Sequence, residues 1–130
     1  MHRRRILAAL GLAVLAPSAA LAAERKKGGG ETFIQIQTLT ATVIRTDGRR
    51  GVMTVEAGID VPDGGLRARA EASTPRLRAA YAQVLQIYAS GLPSGYLPNA
   101  DYLSRELQRQ TDEVLGRPGA RLLLGTIMVN

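Results

Sequence analysis

Between Met53 and Val61 every second residue is apolar: Met53, Val55, Ala57, Ile59 and Val61 alternate with Thr54, Glu56, Gly58 and Asp60. Successive side chains of a strand point to opposite faces, so this alternation predicts a strand with one buried and one wet face. Parallel strands covered by helices are apolar on both faces, whereas a half-wet strand belongs to an antiparallel sheet. The alternation therefore points to an α+β domain with its helices packed on one face of the sheet. Glu56 and Asp60 read as the solvated side of that strand, not as a catalytic carboxylate pair.

The flanking segments fit the same plan. Phe33 to Arg45 is rich in Ile, Thr and Val, with Leu39, Ala41 and Val43 alternating, and reads as a preceding strand. Asp47-Gly48 between the two is a strong turn signal. Pro62-Asp63-Gly64-Gly65 ends the second strand, and a short helical stretch, Leu66 to Ala72, follows. Ser73-Thr74-Pro75 then opens a longer helix, since a hydroxyl residue before proline is a helix start. In it Leu77, Tyr81, Val84, Leu85 and Tyr88 form one apolar stripe, with Arg76, Arg78, Gln83 and Gln86 largely off it. The tyrosine rings are expected in the core and their hydroxyls at its edge.

Gly91 to Ala100, with two prolines and two glycines, is a loop. Asn99 or Asp101 caps a further helix that runs to Leu115 with Leu103, Leu107, Val114 and Leu115 inward, and Gly116 stops it. The apolar run from Arg121 to Asn130 has the length of a closing strand, and Met53 and Met128 read as core filler. The main elements thus run β-β-α-α-β.

Ahead of this domain the chain carries addressing signals. Arg3, Arg4 and Arg5 precede an apolar run from Ile6 to Ala16, and Pro17 and a small-residue segment through Ala23 follow. Ala20 and Ala22 occupy the A-x-A positions of a signal-peptide cleavage site, placing the cut next to Ala23. Arg3 and Arg4, followed after one residue by Ile6 and Leu7, resemble the twin-arginine export pattern. His2 stands where that pattern has Ser or Thr, so the general secretory route stays open. The expected organisation is an export signal over 1–23, a glycine-rich tether over 24–31 and one domain over 32–130. The expected location is the periplasm. The alternative is an inner-membrane anchor facing the periplasm, although the apolar run is shorter than the roughly 20 residues a span requires.

Charge and composition narrow the function. Of 17 basic residues three lie at Arg3–Arg5, leaving 14 against 11 acidic; from Glu31 onward the balance is nearly neutral. With no Trp and one Phe there is no stacking platform either, which argues against a nucleic-acid partner. The chain has no Cys, and its one His is His2. The expected domain accordingly lacks the commonest bases, nucleophiles and transition-metal ligands. Asp112 and Glu113 are adjacent on a helix and point to different faces, and Ser94 is misplaced for a nucleophile elbow. No catalytic, cofactor-binding or metal site is expected.

Four segments carry a resemblance. Arg49-Arg50-Gly51-Val52-Met53-Thr54-Val55-Glu56 resembles the second strand of the flagellar basal-body-associated FliL family. Thr74-Pro75-Arg76-Leu77-Arg78-Ala79-Ala80-Tyr81 is similar to its helix opening. Tyr102 through Leu107, with Glu113-Val114-Leu115-Gly116, resembles its third helix, and Leu124 to Asn130 its closing strand. The likeness spans roughly residues 33–130. It departs from the family at Thr111, where Asn is frequent, and at the N-terminus, where a cleavable signal replaces a membrane span. It implies a stomatin-like fold and a non-enzymatic periplasmic protein whose partners are flagellar motor components or further copies of itself. A small-ligand-binding or partner-protecting module, with the Gly91–Ala100 loop as its rim, is the alternative.

Overall fold

Asp47 and Gly48 make the first turn. The Asp47 carboxylate accepts the Arg49 N–H at 2.9 Å, and Gly48 takes the left-handed backbone (φ 80°) that closes the hairpin. A computed structural model describes residues 30–130 of the chain. On either side of the turn lie β1 (Phe33–Ile44) and β2 (Arg50–Asp60), paired antiparallel with Phe33 opposite Asp60 and Ile44 opposite Arg50. Three helices follow, α1 (Gly64–Ala72), α2 (Thr74–Gly91) and α3 (Ala100–Leu115). The last strand, β3 (Arg121–Val129), pairs antiparallel with the far side of β2. The sheet order is β1-β2-β3, and Thr32–Asn130 forms one compact α+β unit.

The alternation in β2 does what its period implies: Met53, Val55, Ala57 and Ile59 are buried beneath the helices, and Glu56 is in solvent. In β1 the register slips between Ile36 and Leu39, and in β3 opposite the step from Val55 to Ala57. In both neighbours two residues face Glu56, Gln37-Thr38 on one side and Gly125-Thr126 on the other. These paired bulges return the apolar residues to the core face beyond the slip and bend both outer strands at one level. Ile34 and Ile36 therefore share a face with Leu39, Ala41 and Val43. On the opposite face the Phe33 ring covers Gly58, where a Cβ would stand 2.2 Å from Cζ.

Helix α2 packs on β1, and α3 packs on α2 and β3. Leu77, Tyr81, Leu85 and Ala89 of α2 meet Leu103, Leu107 and Leu115 of α3 over the sheet. Asn99 caps α3, its Oδ1 accepting the Tyr102 N–H at 3.0 Å, while Asp101 sits in the first turn. Gly116 ends α3 with φ 83°, and its N–H reaches the Asp112 carbonyl at 2.9 Å.

Several expectations are corrected. The stretch from Leu66 is a complete helix, so the order is β-β-α-α-α-β. Asp63 caps it, accepting the Leu66 N–H at 2.8 Å, and its carboxyl is held below the usual range first by that bond and then by Arg117. Ser73 precedes α2 but makes no capping bond, and the Thr74 hydroxyl donates back to the Ala70 carbonyl at 3.1 Å. Val114 is only half-buried; the polar Thr111 holds the fully buried position instead. Met53 is core, but Met128 is half-exposed on the open sheet face.

The Tyr81 hydroxyl is not at an edge. It is fully buried against Thr111 Oγ1. Thr111 has one proton and donates it to the Leu107 carbonyl at 2.7 Å, so Tyr81 is the donor to Thr111. Burial pushes the Tyr81 phenol above its ordinary pKa.

Candidate functional site

The loop between α2 and α3 presents apolar side chains to solvent although it is tightly held. Ser94 Oγ donates to the Arg45 carbonyl at 2.6 Å, tying the loop to the end of β1. The Tyr96 N–H reaches the Pro93 carbonyl at 3.1 Å in a turn, with Gly95 at φ 82°. At the loop's far end the Asn99 N–H donates to the Tyr88 hydroxyl at 2.7 Å. From this braced segment Tyr96 and Leu97 project with 67% and 85% of their surface exposed. Ser94, misplaced for a nucleophile elbow, is thus a structural brace.

Beside the loop, α2 contributes Ile87, 68% exposed, and α3 contributes Tyr102, whose ring stacks on Tyr88 at 5.5 Å between centroids. Ile87, Tyr88, Leu92 and Tyr102 line an open hollow of about 530 Å³ with Arg105 on its rim. A trough of about 350 Å³ continues from it between α2 and α3 past Val84 to Glu106 and Arg109. The guanidinium of Arg109 lies 2.7 Å from Glu106 and 3.0 Å from Glu113, and these contacts, that of Glu106 first, raise its pKa above the ordinary value. Arg105 is exposed and has no acidic partner among the described residues.

A surface rich in Tyr and large aliphatic side chains, with Arg at its rim, has the make-up of the centre of a protein–protein contact. The bracing gives it a defined shape before any partner arrives. The stripe of α2 anticipated Tyr88 as a core residue; the exposed members Ile87, Tyr96, Leu97 and Tyr102 were not singled out as a group. Their signal is nevertheless in the sequence, since Tyr96-Leu97 puts two large apolar residues inside a Pro- and Gly-rich loop.

The acidic residues singled out in the sequence do not converge on one another. Glu56 and Asp60 lie on the open sheet face, Asp60 bonded by the Thr32 hydroxyl; Asp112 accepts from Gln108 and Glu113 pairs with Arg109. Among the described residues no three His, Cys, Asp or Glu side chains are grouped to hold a metal ion, and no helix is long and apolar enough to cross a membrane. The targeting residues Arg3, Arg4, Ile6 and Leu7, and the cleavage residues Ala20, Ala22 and Ala23, lie outside the described residues. No protein-family model matches the chain, and no curated protein matches it.

Proposed function

We propose that this chain is an exported, periplasmic, non-enzymatic interaction protein that docks a protein partner across two hollows meeting at Leu92-Pro93, one lined by Ile87 and Tyr102 and the other by Tyr96 and Leu97. The observation that carries this reading is the braced Leu92–Asn99 loop. Burying a large apolar side chain is favourable by roughly 1.5–3 kcal/mol, so displaying Tyr96 and Leu97 on a rigid loop sets aside binding free energy for a partner. The hollow beside the loop is wide and lined by exposed residues, which suits a protruding protein segment better than an enclosed small molecule. The export signal read at Arg3–Ala23 supports the compartment. The likeness to the FliL family supports the flagellar basal body, or a related membrane assembly, as the setting.

Deletion of the gene in the source bacterium, followed by swimming in soft agar, tests the setting. Loss of swimming that wild-type protein restores, and that an equally abundant and folded I87E/L97E variant does not, is the expected outcome. Unimpaired swimming of the deletion strain overturns the flagellar reading, and full restoration by I87E/L97E overturns the docking surface.

A further inference from the structure

The two edges of the sheet are treated differently. Along β1 the helix α2 guards the strand's outward groups: Gln86 Oε1 accepts the Thr42 N–H at 3.2 Å and Arg78 Nη2 donates to the Thr38 carbonyl at 3.3 Å. Along β3 only the first residues are guarded, Gln108 donating to the Ala120 carbonyl and accepting the Leu122 N–H, both at 2.8 Å. The remainder of β3 is open.

Its register identifies which groups point outward. Asn130 and Val52 exchange both backbone bonds, so Met128 and Leu123 bond to β2, and Leu122, Leu124, Ile127 and Val129 turn their N–H and C=O groups away from it. The N–H and C=O of Leu124, Ile127 and Val129 have no partner among the described residues. No charged residue and no proline occurs from Leu122 to Val129. Charge and proline are two of the devices by which exposed edges are kept from pairing, and here both are missing.

The bulge makes this edge complementary to itself. In an unbroken strand all outward residues are spaced by two. Here Gly125-Thr126 inserts an extra residue, so the outward set is Leu122 and Leu124 on one side and Ile127 and Val129 on the other. A two-fold axis through the sheet between Gly125 and Thr126 sets Leu124 opposite Ile127 of a second copy and Leu122 opposite Val129. All four are outward residues, and all four have side chains on the helix face. On the open face Leu123, 39% exposed, meets Met128, 50% exposed. Arg121, the nearest charge, falls beyond the paired segment.

We propose that β3 is a homodimerisation edge, in which two copies pair antiparallel about Gly125-Thr126 to form one continuous six-stranded sheet with all helices on the same side. Such an interface is isologous and closed, so it ends in a dimer instead of a fibre. The central Leu124–Ile127 pairs exchange both of their bonds; the outer Leu122–Val129 pairs exchange one, because Gln108 already occupies the Leu122 N–H. The end of this edge adjoins the Tyr96–Leu97 loop, since Val129 lines one hollow with Tyr96 and Leu97, but its outward backbone groups belong to β3 alone and the pairing stands whether or not that loop docks a partner.

The register is tested with charge reversal at its two exposed positions. L123K/M128K sets Lys against Lys across both halves of the interface, whereas L123K/M128E sets Lys against Glu in both. Sedimentation of the full-length chain is expected to show a dimer for the wild type, dissociation at least about tenfold weaker-binding for L123K/M128K, and recovery of the dimer for L123K/M128E. The two variants alter the same sites, so a folding defect would affect both. In the unsubstituted protein, hydrogen exchange at the Leu124 and Ile127 amides is expected to slow as concentration rises. A wild type that stays monomeric, a dimer indifferent to L123K/M128K, an L123K/M128E variant no better than L123K/M128K, or amides whose exchange ignores concentration overturns the proposal.

Discussion

At Tyr81 and Thr111 two hydroxyls at the centre of an apolar core form a short chain: Tyr81 donates to Thr111, and Thr111 donates to the Leu107 carbonyl. The direction of donation makes the two residues unequal. T111V strands a buried phenol proton and is expected to cost about 2 kcal/mol; Y81F leaves the Thr111 proton bonded and costs about 1 kcal/mol. Y81F/T111V is expected to be more stable than the sum of the single variants implies, and urea unfolding of the four proteins checks it. The phenol also sets an alkaline limit. Its pKa is raised in the fold, so its contribution is complete below the ordinary tyrosine value and is lost as pH rises from there through the raised one. Thermal melts across that range are expected to show a shallower decline for Y81F than for wild type. Thr111 was not legible as core because its type argues for solvent, and only a partner on another helix reverses that. Leu77, Leu85, Leu103 and Leu107 were legible, since their spacing and their chemistry point the same way.

Elements show where pattern reading succeeds and where it stops. The alternation of β2 was readable because its core face is apolar at every second residue and no bulge falls within the strand itself. In β1 only the half from Leu39 to Val43 was readable, since the bulge at Gln37-Thr38 breaks the period; in β3 Leu123 and Met128 are apolar on the solvent side, so no period exists. The α3 terminus was readable from Gly116, and the structure gives the reason in its φ of 83°. G116A places a Cβ in that left-handed conformation and is expected to lower stability by about 1 kcal/mol, read from chemical denaturation. The start of α1 was not read, because Asp63 lies within what the sequence presents as a turn. Its carboxylate has a depressed pKa, so its contribution is complete above the ordinary aspartate value and disappears as pH falls through the depressed one. D63A is therefore expected to melt earlier than wild type at neutral pH and together with it in acid, as thermal melts at both pH values would show.

On the scale of the whole molecule, the proposed function rests on what the fold leaves uncovered. The α+β class followed from the alternation in one strand and the apolar stripes of the helices. The exposed apolar residues on the two sides of Leu92-Pro93, Ile87 and Tyr102 in one hollow and Tyr96 and Leu97 in the next, were not legible together, because they come from two helices and a loop that only the tertiary structure assembles. The open edge of β3 was equally hidden: a strand of apolar residues reads as buried, and exposure depends on sheet order. Polar substitution at the cluster is expected to leave the core intact. L97E should therefore match the wild-type melting temperature within about 2–4 °C, since surface changes fall within about 0.5 kcal/mol, while removing the proposed docking contact.

The most direct measurement is site-directed photocrosslinking in living cells of the source bacterium, with a photoreactive phenylalanine analogue at Leu97 and, as control, at the exposed Arg117 on the loop after α3. Adducts with a flagellar motor protein from Leu97, absent from Arg117, are the predicted result. No protein adduct at Leu97, or the same adducts from both positions, would contradict a docking role for this surface.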